Sequence, residues 1–242
     1  MHENKKSKEK YILSYEKMFP ADVILTRENS LTSTLITSAT QGQYSHAALY
    51  LGGGSYIEAT KEGVHTRNIQ RLLLKDPTQI KIMRSNNILN KDTLYKICNY
   101  ARLEYGKEYS IEGALNSVLP TNYDIITKQF CSRLVATCYE KSGHPICSNI
   151  SKCTPETINK SPIFIEVKDI VREATDQEII FANDKSKDKT EIQKECVNIF
   201  LNKLRKSTKA DLPTLNDVVN FVIDNPQYDV YFTETLKESG YL

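Results

Sequence analysis

Phe130-Cys131-Ser132-Arg133-Leu134-Val135 decides how this chain is read, because it is where a cysteine opens a helix. From Cys131 the apolar side chains recur at Leu134, Val135 and Cys138, with Tyr139 beside them and Gly143 just past the end. That spacing is helical and is closed by a C-terminal glycine. Cys131 therefore belongs to the inward stripe and to the first turn. There, unpaired backbone N–H groups and the positive helix end favour an anion; a thiol so placed ionises more easily, and the thiolate is the nucleophile. Read alone, the segment is equally consistent with a buried structural cysteine, since free Cys is often buried.

A second stretch upstream offers a base and a group to orient it. Ser45-His46-Ala47-Ala48-Leu49-Tyr50-Leu51 and Ser55-Tyr56-Ile57-Glu58-Ala59-Thr60 flank Gly52-Gly53-Gly54, which predicts a β-hairpin. With the turn near Gly52–Gly53, His46 falls opposite or diagonal to Glu58. His46, Ala48, Tyr56 and Glu58 then share one face, while Ala47, Leu49, Leu51, Ile57 and Ala59 form the other, better core face. Alone, His46 reads as a solvated strand histidine and Glu58 as a surface charge. At hairpin spacing they become an imidazole and a carboxylate within reach, which fixes a tautomer and raises basicity.

The totals exclude several classes. The 242 residues suffice for one large domain, or a medium one with an appendage. With 32 basic against 30 acidic residues and a net charge of +2, bulk charge recruits neither nucleic acid nor an anionic membrane. No run approaches a transmembrane span, and YILSYEKMF after the basic start is too short and polar for a signal-peptide core. The expected compartment is the cytoplasm, or a host cell reached through a dedicated secretion machine. The six cysteines form no CxxC pair, which fits reduced thiols better than a disulfide framework. Cys138, His144, Cys147 and Cys153 do not fall into the close ligand pairs of a structural zinc site, so no metal is expected.

Along the chain, residues 1–14 read as a charged, mobile lead-in. Ala21-Asp22-Val23-Ile24-Leu25-Thr26 is strand-like, and Asn29 or Ser30 caps a helix carrying Leu31, Leu35, Ile36 and Ala39. Gln79–Arg84 alternates as a strand, and Asn90 caps a helix with Leu94, Ile97, Cys98 and Ala101 on one stripe. Residues 107–128 are mixed. Pro155 opens a helical turn, and Ile163–Val167 is a strand. Asn183–Lys189 is a composition break read as a solvated linker, beyond which two amphipathic helices form a small helical subdomain. His65 reads as a surface residue, and His144 as a favourable charge at a helix end. Ser132 lacks a GxSxG elbow, and the glycine run lacks the Gly-Lys-Ser/Thr ending of a phosphate loop.

A nucleophile on a helix start, a histidine on a strand and an acid on the next strand make a Cys–His–orienter arrangement. The order His46, Glu58, Cys131 reverses that of papain, as a circular permutation would. At Ala21-Asp22-Val23-Ile24, Tyr44-Ser45-His46-Ala47-Ala48, Tyr56-Ile57-Glu58-Ala59 and Phe130-Cys131-Ser132-Arg133-Leu134-Val135, the chain resembles permuted papain-like cysteine peptidases and amidases of the YiiX/YaeF type. These sit within the NlpC-like superfamily, with lecithin:retinol acyltransferase-like enzymes more distant. The resemblance covers roughly residues 18–180. It implies an α+β fold: a permuted papain-like core with a small antiparallel sheet over residues 15–182, and a helical appendage over 183–242 outside the family core. It implies Cys131 as nucleophile, His46 as general base and then acid, and Glu58 holding the imidazole. The Cys131 N–H is the oxyanion donor, with Tyr44 and Ser132 as further oxyanion or substrate candidates. Arg133, where the family often has Glu, and Tyr109-Ser110, where it often has Tyr-Asp, are departures near the substrate approach. The expected activity is amide hydrolysis through an acyl-enzyme, without metal or organic cofactor, on a small-molecule, peptide or lipid acyl substrate. The alternatives are an acyltransferase or a lipid or thioester hydrolase using the same site, and a non-catalytic binding module on the same fold.

Overall fold

The computed structural model describes residues 10–27, 42–110, 114, 129–208 and 210–242. The helix expected over residues 31–39 and most of the stretch 107–128 lie outside the described residues. Eight strands are described: β1 (Tyr11–Leu13), β2 (Val23–Thr26), β3 (His46–Gly52), β4 (Ser55–Thr60), β5 (Gly63–Asn68), β6 (Ile80–Ser85), β7 (Phe164–Glu166) and β8 (Val171–Glu173). Six form an antiparallel sheet in the order β5-β4-β3-β2-β6-β7, and β1 pairs with β8 in a separate ribbon. With the packed helices below, this is the α+β architecture expected.

The triple glycine makes the β3–β4 hairpin. Gly53 and Gly54 take φ of +60° and +79°, left-handed values that a Cβ would resist. The ladder pairs Ala48 with Glu58 and Tyr50 with Tyr56, so His46 lies diagonal to Glu58. Ala47, Leu49, Leu51, Ile57 and Ala59 face the main core together with Leu134, Val135 and Cys138. The opposite face is covered too: Ala48, Tyr50 and Tyr56 pack with Leu13, Ile69, Leu74 and Ile170 in a second cluster. Tyr11–Leu13, expected within a mobile lead-in, instead pair with Val171–Glu173, and Leu13 is 1% exposed. Three residues are too few to show a period in the sequence.

Helix α1 (Lys91–Leu103) starts at Asn90, whose side chain accepts from the Thr93 N–H at 2.8 Å. Helix α2 (Cys131–Lys141) packs on α1 and across β3 and β4. The hydroxyl of Tyr139 donates to the Ala21 carbonyl at 2.7 Å, tying the far end of α2 to the strand beside the hairpin. A short helix α3 (Pro155–Asn159) begins with proline behind a Thr154 capping box.

Four helices follow: α4 (Asp176–Asn183), α5 (Lys189–Thr208), α6 (Leu215–Asp224) and α7 (Asp229–Glu238). They do not form a core apart. Val197, Phe200, Leu201 and Leu204 of α5 join the same cluster as Leu49 and Leu134. Gly106, at φ +87°, lies against Leu201, where a Cβ would collide with the leucine methyl. The charged stretch after 183 is not a free linker either: Arg71 donates to the Asp184 carbonyl at 2.7 Å and stacks on Phe181, 4.3 Å from the ring centre. Local composition does not register a partner more than a hundred residues away.

Candidate active site

Cys131 is the first residue of α2, and the residue before it, Phe130, is extended and brings no side-chain acceptor to the turn. The entry is held instead by Gln129. Its side-chain oxygen accepts from the Phe130 N–H at 3.2 Å and from Arg133 Nε at 2.8 Å, and its amide nitrogen donates to Glu104 at 3.0 Å. Arg133 is 5% exposed with its guanidinium 4.7 Å from the Phe130 ring centre, so it braces the helix start from within. First-turn N–H groups left uncapped in this way favour negative charge at the sulfur and beside it.

The strand pair delivers the other two groups. His46 Nε2 lies 2.9 Å from Glu58 Oε2, with both residues 8% exposed. The thiol of Cys131 is an electrostatic neighbour of the same imidazole. Since Nε2–H donates to the carboxylate, Nδ1 is the ring nitrogen left for the sulfur. Burial alone would push the His46 imidazole down. The Cys131 sulfur and its hydrogen bond, and then Glu58, more than reverse this and hold it well above its ordinary value. Burial alone would also push the Glu58 carboxyl up, but His46 and then His65 hold it well below the usual carboxylate range.

Two residues of β5 that the sequence reading did not place here complete the surroundings of Glu58. His65 stands directly opposite Glu58 in the ladder and is 1% exposed, not a surface residue as expected. Its Nδ1 donates to the Gly63 carbonyl at 3.0 Å, which turns Nε2 toward Glu58 Oε1 at 3.5 Å, an ion-pair distance rather than a hydrogen bond. Arg67 Nε donates to the same Oε1 at 3.3 Å. The signal was present. A two-residue turn at Lys61–Glu62 pairs Thr60 with Gly63, and counting two residues back on each side puts His65 opposite Glu58.

The remaining candidates divide. Tyr44 is 7% exposed, and burial, then Glu166 and Glu156, push its phenol up, so it keeps an O–H to donate. Ser132 has no free side chain to offer, because its hydroxyl donates to the Cys153 carbonyl at 2.7 Å and is buried. His144 Nδ1 donates to the Ser142 carbonyl at 3.0 Å. Among the described residues, no three His, Cys, Asp or Glu side chains are grouped as metal ligands. Cys147 is half-buried and donates to the Asn149 carbonyl at 3.4 Å, and the neighbouring Cys153 holds its thiol below the ordinary value. No helix among the described residues is long and apolar enough to cross a membrane.

The fold thus gathers a cysteine at a helix start, a histidine on a strand and a carboxylate that orients its ring. The chain belongs to the Peptidase C92 family of permuted papain-like amidase enzymes of the YaeF/YiiX type, whose model matches residues 19–163. Among solved structures it is similar to one described as metalloprotein yiiX from Escherichia coli O157:H7, at 15% identity and a TM-score of 0.41, over 61% of this chain and 95% of that one. No curated protein matches at a significant level. The family match makes the protein a hydrolase of amidase type in general terms.

Proposed function

We propose that this protein is a cysteine-dependent amidase or peptidase that works through an acyl-enzyme on Cys131. The observation that carries the reading is one imidazole held by a carboxylate at 2.9 Å and acted on electrostatically by the cysteine that opens a helix. His46 takes the Cys131 proton and the sulfur attacks the substrate carbonyl. The oxyanion that forms is met by the Cys131 N–H, with Tyr44 as a second donor. The C–N bond then breaks as the imidazolium protonates the leaving amine. Water, deprotonated by the same imidazole, cleaves the thioester and restores the thiol. Glu58 keeps the imidazole in the required tautomer and balances its charge throughout.

The test is iodoacetamide alkylation of the native chain at pH 6, with labelled cysteines mapped by mass spectrometry because Cys147 is a second accessible thiol. Cys131 is expected to label at least about 10-fold faster in wild type than in His46→Ala. Equal rates would remove the dyad and the hydrolase reading with it. A panel of N-acyl amides and peptides, assayed with wild type and Cys131→Ala, then defines the substrate.

A further inference from the structure

Glu58 is not left to His46 alone: Arg67 meets its other oxygen, and a group that holds Arg67 comes from beyond the family-matched segment, residues 19–163. Arg67 reaches Glu58 Oε1 at 3.3 Å, and its other nitrogens meet Glu191 of α5 and, at 3.6 Å, Glu62. Lys194, one turn further along α5, contacts Glu191 and donates to Glu62 at 2.6 Å. Lys194 is only 5% exposed, so the helix carries a buried ammonium into this cluster. The same helix walls a cavity of about 780 Å³ whose other side is lined by His46 and Glu58.

We infer that α5 is a positioning element of the catalytic site: Glu191, itself held by Lys194, anchors Arg67, and Arg67 fixes the Glu58 carboxylate so that Oε2 is presented to His46. The inference rests on the dyad proposed above. A lone carboxylate on a strand can rotate between acceptors. With Oε1 held by Arg67 and faced by His65, rotation would break an ion pair in a buried place, which is costly. The arrangement also sets the field at His46. Arg67 moderates the charge of Glu58, and Glu191 moderates that of Arg67. The charged or titratable groups around His46 and Glu58 are Cys131 from α2, His65 and Arg67 from β5, Glu62 from the β4–β5 turn, and Glu191 and Lys194 from α5. Asp188, Glu195, Arg71 and Lys185 line the cavity beyond them.

This relay makes a signed prediction. Arg67→Met leaves the full carboxylate charge acting on His46 and stabilises the imidazolium. Glu191→Gln leaves the guanidinium charge acting on Glu58 and destabilises it. The pH profile of Cys131 alkylation in the full-length chain reads this, since its upper step follows loss of the His46 proton from the pair. The upper apparent pKa is expected to rise by about one unit in Arg67→Met and to fall by about half a unit in Glu191→Gln. Arg67→Lys should return most of the first shift. Glu238→Gln, which breaks the Lys203–Glu238 pair at the far end of α5, serves as the control and should leave the profile in place. A purely structural helix would lower the melting temperature without moving the step in opposite directions. If both profiles overlay that of wild type while His46→Ala still abolishes the fast labelling, the relay is overturned and the dyad stands. If His46→Ala changes nothing, both fall together.

Discussion

Two cysteines lie on the same face of α2, two turns apart, and the protein treats them in opposite ways. Cys131 opens the helix beside an imidazole on which it acts, at a helix start with no side-chain cap. Cys138 lies in the helix interior at 0% exposure, and burial pushes its thiol far above the ordinary range. Both belong to one apolar stripe in the sequence, so periodicity alone cannot separate them. What separates them is the helix end: backbone donors are spent in the middle of a helix and free in its first turn. Chemistry is available at the one and packing at the other.

The strongest way to break this contrast is to remove each sulfur in turn. Cys131→Ala is expected to lower hydrolysis of any substrate the panel finds by at least about 10³-fold, while the urea midpoint stays close to that of wild type. The fold has already placed this residue where its side chain contributes little packing beyond the sulfur itself. If activity survives, Cys131 is one more buried thiol and the two ends of the helix do not differ in kind.

Much of this contrast could be read without coordinates, and the unread part has a physical pattern. The helix at Cys131, the glycine hairpin and the closeness of His46 to Glu58 all follow from interactions within one element or one turn. The diagonal placement of His46 was one of two the reading allowed, and the register shift between Tyr50 and Gly52 brings Glu58 opposite Ala48, on the face of His46. His65 and Arg67 were missed because seeing them requires a third strand, added by a second turn, Lys61–Glu62, that holds no glycine. The tail was misread for a similar reason. Asp184, Asp188 and Glu191 look solvated by composition, yet Arg67 of β5 and Arg71 of the turn just after it meet them. Ser132 failed as a donor because its acceptor, the Cys153 carbonyl, comes from a loop 21 residues on.

A middle-sized effect sharpens the comparison from the hairpin side. Glu58→Gln keeps the shape and removes the charge that orients the imidazole, so activity should fall by about 10²-fold, with Cys131 still present. Stability should report the same carboxylate. Its pKa in the fold lies below its unfolded value, so its contribution is present above an ordinary value of 4.5 and is lost as pH falls through the folded one. Urea titrations at pH 7 and pH 3.5 should therefore show wild type ahead of Glu58→Gln by on the order of 2 kcal/mol at the higher pH, with the gap narrowing at the lower. A gap that stays constant with pH would mean that Glu58 is not held as a buried anion.

The smallest effect belongs to Cys138, and it tests the other half of the contrast. Cys138→Ser exchanges a sulfur that needs no partner for a hydroxyl that does, at a position with no exposed surface. An isolated buried hydroxyl would cost up to about 3 kcal/mol. Inside a helix, however, a serine can donate to the carbonyl four residues earlier, here that of Leu134, at the expense of a slight bend. The net loss expected in a urea titration is therefore nearer 1 kcal/mol, with turnover per folded molecule unchanged. Cys138→Ala separates the two contributions, since it removes the sulfur and adds no donor, leaving only a small cavity. If Ser and Ala cost the same, the hydroxyl has found its bond and volume decides. If Cys138→Ser instead lowers turnover as Cys131→Ala does, the bend has reached the first turn two turns away, and the division of α2 into a reactive end and a packed interior would have to be given up.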